Sequence, residues 1–136
     1  MNRVRTVLAV DDDPDELART CRTLGSIYPV LSAASGEAAL RTARATLPSV
    51  IVLDVMMSEG KDGFAVFSEL NNDPATRDIP VIFLTNVNQS MGLSFGIAEF
   101  EKYLGSKPAA FLEKPVTAAE LLRNVAKILD HRDRAG

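Results

Sequence analysis

The chain has 136 residues, 46% hydrophobic and 24% charged, with a formal net charge of −3, which suits one soluble globular domain and leaves little scope for a second. The mild acidity argues against a nucleic-acid surface, because phosphates call for clustered Lys and Arg. The arginines here come in ones and twos (Arg3 and Arg5, Arg19 and Arg22, Arg41 and Arg44) that solvated helix faces explain.

The chain opens with Met1-Asn2-Arg3-Val4-Arg5 and only a brief apolar run, so no cleavable signal is expected. A first strand is predicted from about Arg5 to Val10, running into Asp11-Asp12-Asp13. Pro14 suits the first turn of a helix, where its missing N–H does no harm, and Asp15 and Glu16 favour that helix's positive end. Leu17, Cys21 and Leu24 give it a buried side, and Gly25 ends it. Cys21 is the single cysteine, so no internal disulfide can form, which fits a reducing, cytoplasmic interior; on that stripe it reads as a small core residue. Pro29 to Ala33 predicts a second strand. Ser35 is placed to cap a helix through about Thr46, with Leu40, Ala43 and Leu47 as its buried stripe and Pro48 as its stop.

Val50-Ile51-Val52-Leu53-Asp54 comes next, four apolar residues ending abruptly in a carboxylate. An unalternated run of this kind predicts a strand buried on both faces of a parallel sheet. Asp54 then stands at the carboxyl end of the strand, where open α/β sheets bind ligands. A loop with two glycines covers Met56 to Gly63, and a short helix runs from Phe64 to about Leu70 until Asn71-Asn72-Asp73-Pro74 breaks it. Pro80 introduces a fourth strand, Val81-Ile82-Phe83-Leu84, which ends in Thr85-Asn86. The uncharged window from Ile79 to Ala98 is of membrane length, but Asn86, Asn88, Gln89 and Ser90 interrupt it, so a strand followed by a loop accounts for it better. Leu93, Ile97, Phe100 and Leu104 have amphipathic helix spacing, closed by Gly105 and Pro108. Ala109 to Leu112 predicts a fifth strand. Thr117 with Glu120 forms a capping box for a last helix whose Leu121, Leu122, Val125, Ile128 and Leu129 face inward. The folded core is expected over about 5–130, with 131–136 a polar tail.

Strands alternating with helices five times require parallel pairing and give a three-layer α/β sandwich. Three strand ends then converge: Asp11 and Asp12, Asp54, and Thr85. Crowded carboxylates repel, so they either hold a proton or recruit a cation. An all-oxygen site suits Mg²⁺, which takes few protein ligands and completes its shell with waters or phosphate. Lys114, just past the fifth strand, adds a point charge that could pair with Asp54 or a phosphoryl oxygen. In such a setting an aspartate can attack phosphorus and form an acyl phosphate.

Val10-Asp11-Asp12-Asp13-Pro14, Leu53-Asp54-Val55-Met56-Met57, Phe83-Leu84-Thr85-Asn86 and Phe111-Leu112-Glu113-Lys114-Pro115, in that order, resemble the receiver domain of two-component response regulators of the chemotaxis-regulator type. The resemblance covers nearly the whole chain as a single receiver domain, 1–136. It implies a flavodoxin-like sandwich with five parallel strands in order 2-1-3-4-5 and five helices. It implies that Asp54 accepts a phosphoryl group from a sensor histidine kinase or a histidine phosphotransfer protein. Mg²⁺ or Mn²⁺ would be held by Asp12, Asp54 and the Met56 backbone carbonyl, with Asp11 acting through water. Thr85, Lys114 and the Asn86 backbone would bind phosphoryl oxygens, and Phe111 together with the Thr85 hydroxyl would report phosphorylation to the outer face. Pro115 would follow a cis bond.

Three features depart from the family pattern: Ser58 stands in place of proline, Asp62-Gly63 comes one residue late, and the connection from Thr85 to Lys114 is several residues longer. They bear on the course of Met56–Gly63 and Asn86–Lys107. The resemblance implies a signalling protein rather than an enzyme, a stand-alone regulator or phosphorelay carrier acting on an output protein that the sequence does not name. It involves neither nucleic acid nor membrane, and dimerisation through the predicted Leu93–Leu104 helix and the fifth strand is a further expectation. Val55, Met56 and Val87 offer no polar group to orient a hydrolytic water, which implies a long-lived phosphoryl state. Two other readings compete. An aspartate-nucleophile phosphohydrolase would carry a second aspartate two residues past the first, where this chain has Met56. A degenerate receiver acting as a phosphorylation-independent scaffold would have no use for the intact acidic pair and lysine.

Overall fold

The computed structural model of the chain describes residues 5–55, 57, 63–85 and 108–135. Its elements are β1 (Val7–Val10), α1 (Pro14–Gly25), β2 (Val30–Ala33), α2 (Gly36–Thr46), β3 (Val50–Asp54), α3 (Gly63–Asn71), β4 (Val81–Thr85), β5 (Ala110–Glu113) and α4 (Ala118–Ala135). All the strand pairs are parallel, in the order β2-β1-β3-β4-β5. The expected flavodoxin-like sandwich is therefore the observed one, with four helices among the described residues. The predicted helix through Leu93 and Leu104 lies outside them.

Alternation along each strand divides the core in two. Leu8, Val10, Ile51, Leu53, Val81 and Phe83 pack under α2 and α3. Val7, Ala9, Val50, Val52, Ile82 and Leu84 pack under α1 and α4. Every residue of the central β1, β3 and β4 is buried, because helices cover both faces of those strands. Phe83 sits at the centre of one layer, with its ring 5.2 Å from Phe67 in an edge-on contact and 6.0 Å from both Phe64 and Phe111.

Local signals fix the helix ends. Asp13 caps α1 by accepting from Asp15 N and Glu16 N, Ser35 caps α2 by accepting from Ala38 N, and Thr117 Oγ1 accepts from Glu120 N at 3.1 Å at the start of α4.

Two expectations are corrected. Leu47 is not on the α2 stripe, which is Ala39, Leu40 and Ala43. It is the C-cap, left-handed at φ 48° and 55% exposed, because the turn before Pro48 swings its side chain out. The chain from His131 is not a loose tail, since α4 continues to Ala135 with no Gly or Pro to stop it. No helix among the described residues is long and apolar enough to cross a membrane.

Candidate functional site

Parallel strands all deliver their carboxyl ends to one edge of the sheet. In register Val10 pairs with Leu53 and Asp54 with Leu84, so Asp11 and Asp12 leave β1 beside the end of β3. Carboxylate oxygens of Asp11, Asp12 and Asp54 lie within 4.8 Å of one another. Asp11 and Asp54 are buried, while Asp12 is half-buried. Two of the three strand ends that the sequence pointed to, those of β1 and β3, thus share one acidic pocket.

Asp11 shows the electrostatic consequence. Its carboxyl is pushed up to about 7, above all by burial and further by the charges of Asp54 and Glu16; the hydrogen bond from Asp13 N (2.9 Å) and the charge of Lys114 oppose that rise. A pocket that raises a carboxyl this far is short of positive charge, and a divalent cation would supply it and favour the ionised carboxylates. The donors are all oxygen, so the residues fit a hard cation such as Mg²⁺.

Lys114 enters from β5. Its backbone N donates to Thr85 O at 2.7 Å, continuing the β4–β5 ladder and tying the lysine to the buried Thr85 that ends β4. Its Nζ stands 3.5 Å from Asp54 Oδ2 and 3.7 Å from Asp11 Oδ2. The closest contact, however, is 2.8 Å to Glu16 Oε2, from the first turn of α1. Burial by itself would lower the Lys114 pKa, but Glu16, Asp54 and Asp11 outweigh it and leave the ammonium more basic than usual. In the sequence Glu16 shows only the position of a helix-dipole residue. Nothing local in the sequence links it to a lysine 98 positions away.

A second site feature also went unseen in the sequence. A Cβ at Gly63 would lie 2.5 Å from the Asp54 carbonyl oxygen and 2.7 Å from Val55 Cα, and Gly63 N donates to Val55 O at 3.0 Å. The start of α3 therefore packs directly on the Asp54 end of β3, an approach that only glycine permits.

Phe111 pairs in register with Phe83 and is half-buried at the edge of the aromatic cluster. The Lys114–Pro115 bond is cis. Asp13 is the cap of α1, and Cys21 is a half-buried residue of the α1 stripe whose thiol burial pushes up in pKa. Met56, Asn86, Ser58 and Asp62, together with the uncharged segment after Thr85, lie outside the described residues.

The family description "response regulator receiver domain" matches residues 7–126. Response regulator PleD of Caulobacter vibrioides is 34% identical over 90% of this chain, which spans a quarter of PleD's length. Protein PilH of Pseudomonas aeruginosa is 32% identical over 90% of this chain and 96% of its own. The solved chemotaxis protein CheY4 of Vibrio cholerae superposes with a TM-score of 0.77 at 26% identity, over 93% of this chain and 99% of its own.

Proposed function

We propose, starting from the fact that this chain belongs to the response regulator receiver domain family, that Asp54 is its phosphoacceptor and that the whole chain is a phosphorylation-dependent switch. The observation that carries this reading is the Lys114 ammonium 3.5 Å from Asp54 within an acidic cluster contributed by two strands. The donor is the phosphohistidine of a sensor histidine kinase or a histidine phosphotransfer protein, met in the cytoplasm.

Asp12 and Asp54, with the Met56 carbonyl, would hold Mg²⁺ or Mn²⁺ directly, and Asp11 would hold it through water. That ion supplies neutralisation of charge on the transferred group. Asp54 itself attacks phosphorus through a carboxylate oxygen, forming the acyl phosphate as the bond to the donor's histidine nitrogen breaks. Burial keeps that nucleophile poorly solvated, and Lys114 is placed to take a phosphoryl oxygen. Thr85, which ends β4, and the backbone of the following residue Asn86 would take another. Thr85 moving toward the phosphoryl group would shift a pre-existing equilibrium, with Phe111 following on the neighbouring strand and a partner protein reading the change. With Val55, Met56 and Val87 apolar, the acyl phosphate is long-lived.

The test is to incubate the chain with Mg²⁺ and acetyl phosphate and weigh the intact protein. One added phosphoryl group, lost in Asp54→Asn, is expected. Turnover of many phosphoesters would point instead to a hydrolase, and no adduct at all to a phosphorylation-independent scaffold.

A further inference from the structure

Among the described residues the Lys114 ammonium faces three carboxylates, yet the closest is not the proposed acceptor. Glu16 holds it at 2.8 Å, against 3.5 Å for Asp54 and 3.7 Å for Asp11. The Glu16 side chain is 38% exposed, whereas those of Asp54 and Asp11 are 6% and 5%. The ammonium therefore leans toward its most hydrated partner. An ion pair that open to water is weak and exchangeable, because water replaces the lost partner on one side.

Glu16 is also well anchored. Asp13 Oδ1 accepts from Glu16 N and Asp15 N, while Asp13 N donates to Asp11 Oδ1. One turn of chain thus fixes Glu16 relative to the acidic pair. Beside it, between α1 and the start of α4, lies a cavity of about 490 Å³ lined by Glu16, Arg19, Thr20, Lys114 and Thr117 among others. The cavity gives a released Glu16 carboxylate room to swing. Arg19, one turn along α1 on the same cavity, gives it a second cation to meet.

We propose, resting on the reading of Asp54 as phosphoacceptor, that Glu16 is a positioning residue acting through Lys114. It holds the ammonium toward α1 in the unphosphorylated state and must give it up before Lys114 can take a phosphoryl oxygen on Asp54. A phosphoryl group carries more negative charge than the carboxylate it modifies, so its arrival draws the ammonium away from Glu16. Glu16 thereby sets a threshold for phosphorylation.

The test compares wild type, Glu16→Gln and Glu16→Asp as full chains in saturating Mg²⁺, following adduct mass over time with two small donors. Acetyl phosphate is a dianion near neutral pH and phosphoramidate a monoanion. If Glu16 restrains Lys114, Glu16→Gln accelerates both donors by the same factor, about twofold to fivefold, the range an ion pair this exposed supports. Glu16→Asp, whose carboxylate is one methylene farther from Nζ, falls between Gln and wild type and serves alone should the Gln variant fail to fold. Acceleration with the dianion only would mean plain repulsion of the donor and would overturn the proposal, as would unchanged or slower rates with both. Phosphorylation persisting in Asp54→Asn would instead defeat the underlying assignment of the acceptor, leaving the two failures distinguishable.

Discussion

Lys114 Nζ lies 3.5 Å from Asp54 Oδ2 although β3 and β5 are not neighbours in the sheet; β4 separates them. The lysine reaches across the end of β4, held in place by its backbone bond to Thr85. That reach makes it a counter-charge to the Asp11 and Asp54 carboxylates.

Replacing Lys114 by Met should therefore hurt the metal-free protein at neutral pH. Its side chain is 17% exposed, and losing it leaves Asp11 and Asp54 buried without their cation. A loss on the order of 2–3 kcal/mol is expected, below the cost of breaking a fully buried pair because the pocket opens to a cavity. Urea denaturation with and without Mg²⁺ checks this, and Mg²⁺ should restore much of the loss. A variant as stable as wild type in EDTA would show that the lysine does not balance the pocket.

Asp11 predicts the pH dependence. The unfolded chain ionises this group near 3.8 and the folded chain only near 7, so the fold binds the proton more tightly. Its contribution to stability is present below about 4 and is lost as pH rises toward about 7. Mg²⁺ binding requires the ionised carboxylate, so its affinity should climb through the same window with release of protons. Thermal unfolding in EDTA from pH 5 to 8, paired with Mg²⁺ titrations, reads both slopes. Opposite slopes are expected, and parallel ones would refute the assignment.

Gly63→Ala should disturb Asp54 through the backbone. The new methyl meets the Asp54 carbonyl at 2.5 Å and Val55 Cα at 2.7 Å, neither of which can rotate away. Alanine's helix propensity gain of about 1 kcal/mol is outweighed by overpacking of about 1–3 kcal/mol and the backbone shift it forces. Slower adduct formation and a lower unfolding midpoint are expected together, and a more stable variant with normal phosphorylation would contradict the close packing of α3 on β3.

Leu47→Gly should do the reverse, far from the pocket. Leu47 is exposed and left-handed, so glycine relieves strain at the end of α2 at no cost in buried surface. A gain of about 0.5–1 kcal/mol, the left-handed strain of about 1–2 kcal/mol less glycine's entropic cost, is expected by denaturant unfolding, with phosphorylation unchanged.

Much of this protein could be read from its sequence because the signals involved are local. Unbroken apolar runs mark the strands buried on both faces, and capping residues such as Asp13, Ser35 and Thr117 mark helix starts. Abrupt carboxylates at Asp11 and Asp54 mark strand ends, and parallel topology then sends those ends to one edge. Leu47 departs from its sequence pattern because periodicity continues past the point where Pro48 makes the backbone turn. The end of α4 is polar yet helical, because no breaker stands there.

The partners of Lys114 belong to another class of fact. Which carboxylate an ammonium chooses depends on distances of a few tenths of an ångström and on how much water each oxygen keeps. Both are set only when α1, β3 and β5 pack together. Composition and spacing determined that acids and a lysine would meet at one edge of a parallel sheet. The tertiary structure alone decided that Glu16 stands nearest the lysine, and that Gly63 must be bare for the end of β3 to lie where it does.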